Sequence, residues 1–551
     1  MFLARCDCVF DLHAWFEFGL CVLVCCDEFT LVKTQVRVDR RFGRAGTHAA
    51  TESWMVRVEV TSVHDFRTTR TRRSGVLAYG CEVRVFMTLV TLLLNVAGAA
   101  STPPYTPDWD SLMTRPLPGW FDKAKIGIFL HWGVFSVSSI KPEAWYWWSL
   151  DGAKDPSTVA FHNRTYGPDF KYAEFMPMFK AELWDPMQWA QLFKAAGAKY
   201  VVLTSKHHEG FTNWCSKNSF NWNSCDGGPR RDIVGELTDA VRAEGLHMGL
   251  YHSIFEWFHP LYLQDKANNF TTRRFVDEVY YPEAIEINTK YQPDLIWSDG
   301  DWEANSSYWR SPELLAWLYN EAPNRDKVIV NDRWGNDNPP IASGKHFGGY
   351  FSGGDRQQAT PELLAHKWEN AFTIDSNSWG YNRWSNLADY LNITTILYEV
   401  VSAVAYGGNA LINVGPTADG RIATIFQERL AQLGAWLGTN GEAVYDTTKW
   451  REQNDTATHG IEQGVYYTAS KTSASTVYAF MMGWPDAGNV LTLHVPKTSS
   501  GTTVRMIGCA VPMQWTPLAG GAGLSVSIPP LSPKQLPSLE GPWVFELQGV
   551  W

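Results

Sequence analysis

Three carboxylates follow a short apolar run in the stretch YQPDLIWSDGDWE, residues 291–303. The run at 295–297 is typical of a buried strand, and Asp299, Asp301 and Glu303 come directly after it. A strand that ends in acid either enters a solvated loop or places a carboxylate at the mouth of a barrel. Two facing carboxyl groups can cleave a glycosidic bond, about 5–5.5 Å apart in retaining enzymes and about 6.5–9.5 Å apart in inverting ones.

A second carboxyl group has three candidates in the glycine-rich segment HFGGYFSGGDRQQATPELLAHKWENAF. They are Asp355, Glu362 and Glu369, and the segment is predicted to be one long loop on the same face as Asp299. Long loops on a barrel often carry function. A single acid in such a loop is more often a solvated surface residue, so the residues alone leave all three candidates open.

Histidines also stand at the predicted strand ends. His131 lies in IGIFLHWG, His207 and His208 end YVVLTSKHH, and His252 is next to last in HMGLYHS. Hydrolytic metal sites usually show HxH or HExxH spacing, which is absent here. Adjacent residues on a strand also point to opposite faces, so His207 and His208 are not expected to bind one metal ion. Recognition of sugar hydroxyls is therefore favoured over a metal centre, although a single strand-end histidine is more often structural. No pair of cysteines recurs at zinc spacing.

The composition excludes some partners. Aromatic residues make up 14% of the chain, with 27 Trp, and flat rings can either stack on sugar faces or fill a tryptophan-rich core. A net charge of −10 disfavours a nucleic-acid partner, which requires a basic surface. No apolar run reaches the length of a membrane span.

Alternating strands and helices are predicted to position these side chains. The predicted strands are IGIFLHWG, YVVLTSKHH, HMGLYHS, DLIWSD, KVIVNDRW and NALINVGP, with amphipathic helices between them. Strands that are apolar on both faces belong to a parallel sheet, and about six such units suit a (β/α)8-like, TIM-type barrel that can be irregular. An open doubly wound sheet is the alternative, but no GxGxxG motif supports its dinucleotide-binding form.

The pattern changes near residue 450. Short alternating runs such as GVYYTAS, STVYAFMMGW and PWVFELQGV predict a small antiparallel β-sandwich at 449–551, after a barrel domain at 101–448. We find no internal repeat within 100–551.

The sequence contains two candidate starts, Met1 and Met87. Residues 87–100 resemble a signal peptide that ends in Ala97-Gly98-Ala99, and residues 1–86 hold six of the nine cysteines. We therefore expect translation to start at Met87 and 1–86 to be an extension outside the working protein; a genuine N-terminal extension is the alternative.

Two further features concern the compartment. Cys215 and Cys225 are close enough in sequence for a disulfide. Five N-x-[ST] sites favour the secretory pathway: Asn163, Asn269, Asn305, Asn392 and Asn454.

Several long motifs in order resemble the α-L-fucosidases of glycoside hydrolase family 29. The resemblance covers about residues 104–450 strongly and the remainder more loosely, through WFDKAKIGIFLHWGVFSV, YVVLTSKHHEGFTNW, GLYHSIFEWFHPLYL, DLIWSDGDWE, VNDRWG, HKWE, SWGYNR and GGNALINVGPTADG. It implies a barrel followed by a β-sandwich, and an exo-acting hydrolase that releases terminal α-L-fucose with retention. It implies a fucosylated glycan as partner, no metal or organic cofactor, and a lysosomal, vacuolar or extracellular location; a homo-oligomer follows by analogy only.

The resemblance also assigns roles to residues. WSDG makes Asp299 similar to the family's nucleophile, which forms the covalent fucosyl-enzyme intermediate. The matching fucose-binding positions are His131, Trp145, His207, His208, Tyr251, Trp297 and Arg333. For the acid/base, GGYFSGGD resembles the animal lysosomal enzymes and indicates Asp355, whereas ATPE resembles a bacterial pattern and indicates Glu362. Asp355 is narrowly preferred, and Glu369 is the least favoured.

One departure from the family keeps other functions open. The family often has Glu-Trp after the first strand, whereas here the sequence is EAWYWW, with Ala144 in place of the glutamate and Glu143 one position earlier. A fucose-binding barrel with weakened or lost catalysis is therefore one alternative, and a glycosidase of another sugar is a second. Turnover of aryl glycosides distinguishes the three functions.

Overall fold

The computed structural model describes residues 30–41, 53–65, 105–140, 142–339, 345, 347–357, 366–455, 464–485 and 488–551. The chain divides into two units, Met1–Thr102 and Pro103–Trp551. In the first unit, strands β1 (Thr30–Arg41) and β2 (Ser53–Asp65) pair antiparallel. The rest of the predicted extension and the signal-like segment 87–100 lie outside the described residues, so the expected start at Met87 stays a prediction.

Seven parallel strands form the main sheet of the second unit. They are β3 (Ile126–Leu130), β4 (Tyr200–Lys206), β5 (His247–Ser253), β6 (Leu295–Asp299), β7 (Ile329–Val330), β8 (Glu369–Thr373) and β9 (Asn409–Val414). Their order in the sheet is β7-β6-β5-β4-β3-β9-β8. All seven are almost wholly buried, as expected of a parallel sheet that is covered by helices on its outer face.

A short irregular segment occupies the eighth strand position, between β7 and β8. The Tyr350 backbone N–H donates to the Val330 carbonyl at 3.1 Å, and Phe351 exchanges backbone hydrogen bonds with Lys367 and Glu369 at 3.0 and 2.9 Å. These bonds close the ring of strands where no regular strand is formed. The expected (β/α)8-like, irregular barrel is confirmed.

Helices follow the strands and cover the barrel. The α-helices are α1 (Trp109–Leu112), α2 (Gly119–Ala124), α3 (Phe135–Ser138), α4 (Pro156–Thr165), α5 (Pro186–Ala195), α6 (Ile233–Ala243), α7 (Pro260–Ala267), α8 (Tyr281–Lys290), α9 (Ser306–Trp309), α10 (Ser311–Asn320), α11 (Ile393–Ala405) and α12 (Thr424–Asn440). The predicted start of α5 is confirmed, because the Asp185 carboxylate accepts from the Met187 and Gln188 N–H groups and caps the helix.

Three predictions about the strands were wrong. Residues 327–334 were expected to form one strand, but only Ile329–Val330 is regular, because the segment at 349–351 takes over its outer hydrogen bonds. Glu369 was expected in a long loop, but it begins β8. Strand β4 ends at Lys206, so His207 and His208 lie in the turn that follows.

The C-terminal region is an antiparallel sheet of seven strands. They are β10 (Thr447–Asp455), β11 (Val465–Ser470), β12 (Thr476–Met481), β13 (Val490–Met506), β14 (Gln514–Pro517), β15 (Ala522–Ser527) and β16 (Trp543–Val550). The first half of the long β13 pairs with β15 and its second half with β16, so two parts of the sheet share this strand. Both parts contribute to one apolar cluster, and the expected sandwich architecture is confirmed.

Two further features bear on the protein's environment. Cys215 and Cys225 form a disulfide, as their spacing allows. In the part of the chain that the structure describes, we find no helix with the length and apolar character needed to span a membrane.

Candidate active site

A pocket of about 150 Å³ opens at the carboxyl ends of the barrel strands. The residues that line it are Phe129, His131, Trp145, His207, His208, Tyr251, Trp297, Asp299, Trp302, Arg333, Asp355 and Trp379. Parallel strands deliver their last residues to one face of a barrel, which explains why positions distant in sequence meet here. Asp299, Asp355 and all seven predicted fucose-binding residues line this pocket, whereas Glu362 lies outside the described residues.

Asp299 is the last residue of β6 and is held on both oxygens. The Tyr251 hydroxyl donates to Oδ2 at 2.7 Å, and Arg333 Nη1 donates to Oδ1 at 2.9 Å. His208 Nε2 lies 3.5 Å from Oδ2. This carboxylate is therefore oriented by two donors while one side remains open to the pocket.

Arg333 bridges Asp299 to Asp355. Its Nη2 donates to Asp355 Oδ1 at 2.8 Å, and its guanidinium plane lies over the Trp297 ring, 4.5 Å from the centroid. One planar side chain thus lies between the two carboxyl groups and donates to both. The Asp355 side chain is 50% exposed, so it lies at the rim of the pocket, whereas Asp299 lies at its base.

The segment around Asp355 is anchored on both sides. Gly353, which precedes it, adopts a φ of 59°, a left-handed conformation that favours glycine and brings the chain back over Arg333. Arg356, which follows, donates to Thr373 Oγ1 at 2.9 Å and lies over the Trp379 ring. Asp355 is therefore directed toward the pocket by contacts with β8.

The hydrogen-bond network sets the tautomers of two histidines. His131 Nδ1 donates to Asn413 Oδ1 at 2.7 Å, since the Asn413 amide nitrogen already donates to the Trp379 carbonyl. His208 Nδ1 donates to Ser253 Oγ at 2.7 Å, since the Ser253 hydroxyl donates to the Phe255 carbonyl. In neutral rings the Nε2 atoms then carry the lone pair and can accept from a ligand hydroxyl; Nε2 of His208 lies 3.5 Å from Asp299 Oδ2.

Burial keeps these two rings neutral. Burial first, and then the neighbouring His207, holds the pKa values of His131 and His208 well below the ordinary range. Neutral imidazoles beside aromatic rings suit hydroxyl recognition. Among the described residues, no group of three His, Cys, Asp or Glu is arranged to hold a metal ion.

His207 and His208 both line the pocket, with ring centroids 4.1 Å apart. The expectation that adjacent histidines point to opposite faces was wrong, because both residues lie beyond the end of β4, where strand alternation no longer applies. Lys206, the last residue of β4, forms a buried cluster with Glu256 and Glu283 at 2.9 and 2.6 Å and does not line the pocket.

Glu369 lies in the barrel core below the pocket. Its carboxyl group accepts hydrogen bonds from Trp297 Nε1 at 3.1 Å, Tyr350 at 3.0 Å and Tyr200 at 2.5 Å. Burial raises its pKa to about 7. With 1% of its surface exposed and three protein donors, Glu369 cannot reach a leaving group in the pocket.

Glu143 and Ala144, the departure from the family pattern, are both buried. Glu143 Oε1 accepts from the Trp379 and Gly380 backbone N–H groups, both at 2.7 Å, and burial raises the pKa of Glu143. Neither residue lines the pocket. Glu143 instead supports the loop that presents Trp379.

From the sequence alone, no role was assigned to Phe129, Trp302 and Trp379, which line the pocket, or to Asp301 beside it. Trp302 is 42% exposed and lies nearly parallel to Trp145, with centroids 6.1 Å apart; it stands only three positions after Asp299. Trp379 belongs to SWGYNR, which the resemblance identified without assigning a role. Asp301 accepts from the Gly335 N–H at 3.1 Å, and burial, followed by the nearby Asp299, raises its pKa to about 6.

The chain matches two family models. One described as Alpha-L-fucosidase covers residues 92–442, and one described as Alpha-L-fucosidase C-terminal domain covers residues 453–548. An alpha-L-fucosidase of Branchiostoma floridae is 51% identical over 464 residues, which is 83% of this chain and 99% of that protein. The tissue alpha-L-fucosidase of Homo sapiens is 48% identical over 470 residues, 84% of this chain and 97% of that one.

Solved structures show the same architecture. The Thermotoga maritima alpha-fucosidase in complex with fucose aligns with a TM-score of 0.65 at 34% identity, covering 80% of this chain and 100% of that chain. The same enzyme in complex with a mechanism-based inhibitor aligns with a TM-score of 0.66 at 34% identity, covering 81% of this chain and 100% of that one.

Proposed function

Because the chain belongs to the α-L-fucosidase family and is a glycoside hydrolase that acts on fucosides, we propose that it releases terminal α-L-fucose by a retaining mechanism. Asp299 is the proposed nucleophile and Asp355 the proposed acid/base. The observation that carries this assignment is the bridge of Arg333 between the two carboxyl groups, across a pocket of about 150 Å³.

The first step forms a covalent intermediate. Asp299 attacks the anomeric carbon as the bond to the leaving oxygen breaks, and Asp355 gives its proton to that oxygen. Tyr251 and Arg333 orient the Asp299 oxygens, so the carboxylate reaches the sugar without reorganisation. In the second step Asp355 takes a proton from water, which displaces Asp299 from the sugar and restores the enzyme.

The pocket walls suit one deoxy sugar. The Nε2 atoms of His131 and His208 accept from sugar hydroxyls, and the faces of Phe129, Trp297 and Trp379 offer apolar surface to the methyl group and ring. The small volume favours a single terminal residue, with the leaving group extending past Asp355 and Trp302. Asp299 and Asp355 both face the pocket, which argues against a barrel that only binds fucose.

Two measurements test the assignment. A fluorinated fucosyl inhibitor that forms a slowly hydrolysed intermediate should add its mass to the peptide that carries Asp299. Nuclear magnetic resonance of the first-formed product should show the α-anomer. A label on another residue, or an initial β-anomer, contradicts the proposal.

We also propose that the protein matures in the secretory pathway. The disulfide between Cys215 and Cys225 and the exposure of four N-x-[ST] asparagines, Asn163, Asn269, Asn305 and Asn392, support this. Asn454 differs, because its side-chain nitrogen donates to the Tyr406 hydroxyl at 2.8 Å. Glycopeptide mapping of protein from a eukaryotic host should find sugar on the four exposed asparagines and none on Asn454. A chain without any sugar contradicts the proposal.

A further inference from the structure

The three histidines of the pocket differ in the group that faces their inner ring nitrogen. The Nδ1 atoms of His131 and His208 donate to neutral side-chain oxygens, both at 2.7 Å. His207 Nδ1 instead faces a carboxyl group, since Glu209 Oε2 lies 3.6 Å away. This distance is longer than a hydrogen bond but within the reach of an ion pair. Of the three rings, His207 is therefore the one with an acid on its inner side.

A tight turn brings His207 and Glu209 together. The Gly210 N–H donates to the His207 carbonyl at 3.1 Å, and Gly210 has a φ of 80°, a left-handed conformation that favours glycine. Trp222 lies in the loop that the Cys215–Cys225 disulfide closes, and its Nε1 donates to the Glu209 carbonyl at 3.0 Å. The backbone around the pair is therefore fixed, and the two side chains are held next to each other.

The Glu209 carboxyl group is deeply buried. Its side chain is 1% exposed, and that of His207 is 4% exposed. In the part of the chain that the structure describes, Glu209 Oε2 and His207 Nδ1 both lack a hydrogen-bond partner, and no lysine or arginine pairs with Glu209. A buried carboxylate without a counter-charge is strongly unfavourable. A proton on His207 supplies that charge and gives each atom its partner.

The other charged groups near the His207 ring are already paired or neutral. The titratable groups around the ring come from the end of β3, from β5 and from its own turn: His131, Tyr251, His208 and Glu209. Burial lowers the pKa values of the first and third of these, which stay neutral. The tyrosine hydroxyl donates to Asp299, which is paired with Arg333. Lys206 is paired with two buried glutamates.

We propose that Glu209 is a positioning residue that holds His207 as an imidazolium, with Nδ1–H directed at Glu209 and Nε2–H directed into the pocket. His207 lines the pocket while its Nδ1 is buried, so Nε2 is the nitrogen that meets a ligand. His207 then donates to a sugar oxygen, whereas the neutral His131 and His208 accept from sugar hydroxyls. One charged donor beside two acceptors selects for one arrangement of hydroxyl groups. This inference rests on the proposed fucose pocket.

Nitrogen NMR on the whole chain with labelled histidine tests the charge without any turnover. Both ring nitrogens are protonated in an imidazolium and resonate close together, whereas those of a neutral ring lie far apart. At about pH 5.5 we expect the His207 signals, identified by their loss in His207→Gln, to be those of an imidazolium. Glu209→Gln keeps the shape but removes the charge, so it should give the neutral pattern.

A neutral His207 in the wild type would overturn the proposal, and so would an imidazolium that persists in Glu209→Gln. If Glu209→Gln does not fold, the wild-type signals decide. The NMR result is independent of which residue is the nucleophile. A label on a residue other than Asp299 would therefore refute the catalytic assignment and leave the role of Glu209 standing.

Kinetics on aryl fucosides that each lack one hydroxyl locate the bond to the sugar. Glu209→Gln should raise KM for the parent fucoside about tenfold, with a smaller change in kcat, because binding loses a charge-assisted hydrogen bond. One deoxyfucoside should be equally affected by neither enzyme form, giving the same KM with wild type and variant, since it lacks the oxygen that His207 contacts. Glu286→Gln is the matched control, because its carboxyl group accepts from Trp214 and Ser216 outside the pocket. It should stay within about twofold of wild type. An equal loss by Glu209→Gln on every deoxyfucoside would contradict the proposal.

Discussion

The indole nitrogen of Trp297 donates a hydrogen bond of 3.1 Å to Glu369 Oε1, where the wall of the candidate active site meets the barrel core. Arg333 lies over a face of the same indole and donates to both Asp299 and Asp355. A buried carboxyl group that does not line the pocket therefore positions a ring against which Arg333 packs. Glu369 therefore influences the pocket only through Trp297, whereas Asp299, Arg333 and Asp355 line the pocket themselves.

Glu369→Gln is expected to lower stability and activity without changing leaving-group preference. An amide must turn its own N–H toward one of the three donors, Trp297, Tyr200 or Tyr350, which costs about 1–3 kcal/mol of unfolding free energy. Denaturant unfolding and kcat/KM on several aryl fucosides measure both effects. Tyr350→Phe, which removes one of the three donors, should lower the unfolding free energy by less than Glu369→Gln does. A loss confined to poor leaving groups would instead make Glu369 the acid/base.

Asp299→Asn should reduce kcat by roughly 10³-fold or more while the fold is retained, because no fucosyl-enzyme can form. Turnover of an activated aryl fucoside and the thermal unfolding midpoint are the two readouts. Asp301→Asn, two residues away and outside the proposed chemistry, is the matched control and should stay within about tenfold of the wild type. An Asp299 variant with more than about a tenth of wild-type turnover would refute the assignment.

Asp355→Ala should act selectively. Substrates with poor leaving groups need protonation and should lose about 10²–10⁴-fold in kcat, whereas activated aryl fucosides should lose far less. A series of aryl fucosides that differ in the leaving-group pKa shows this as a steeper dependence of rate on that pKa. If Glu362→Ala shows the selective loss and Asp355→Ala reduces all substrates equally, the order of the two candidates is wrong.

Trp302→Ala should weaken binding of the leaving group only. The ring is 42% exposed at the pocket rim, and loss of one stacking face is worth about 1–2 kcal/mol, or roughly tenfold in KM for a fucosylated disaccharide. Fucosyl fluoride, whose leaving group has no ring, should be unaffected. Trp384→Ala, 54% exposed and outside the pocket, provides the control. Equal effects on both substrates would exclude this role.

Asp301 should make stability depend on pH. Burial and Asp299 raise its pKa from 3.8 to about 6, so the folded chain binds the proton more tightly than the unfolded chain. Its contribution to stability is then complete below pH 4 and is lost as pH rises through about 6. Asp301→Asn keeps the acceptor for the Gly335 N–H but does not titrate. The unfolding midpoint of this variant should therefore rise relative to wild type between pH 4 and pH 7; a constant difference contradicts the interpretation.

The strand pattern could be predicted from the sequence because it depends on local periodicity. Runs such as HMGLYHS and DLIWSD are apolar on both faces, and β5 and β6 lie within one residue of the predicted bounds. Parallel strands place their last residues on one face, so Tyr251, Asp299 and the residues beyond β4 were expected to meet without knowledge of any loop.

The chain's own pattern therefore placed Tyr251, Trp297 and Asp299 near the ends of β5 and β6, on the face of the barrel that carries the pocket. Only the tertiary structure decided the rest. Whether Glu369 starts a strand or lies in a loop depends on hydrogen bonds to the distant segments at 349–351 and 409–414. The same holds for Asp355, whose position depends on Arg333, and for Trp302 and Trp379, which reach the pocket from loops. Loop paths are set by long-range contacts between segments far apart in the chain, and local periodicity carries no information about them.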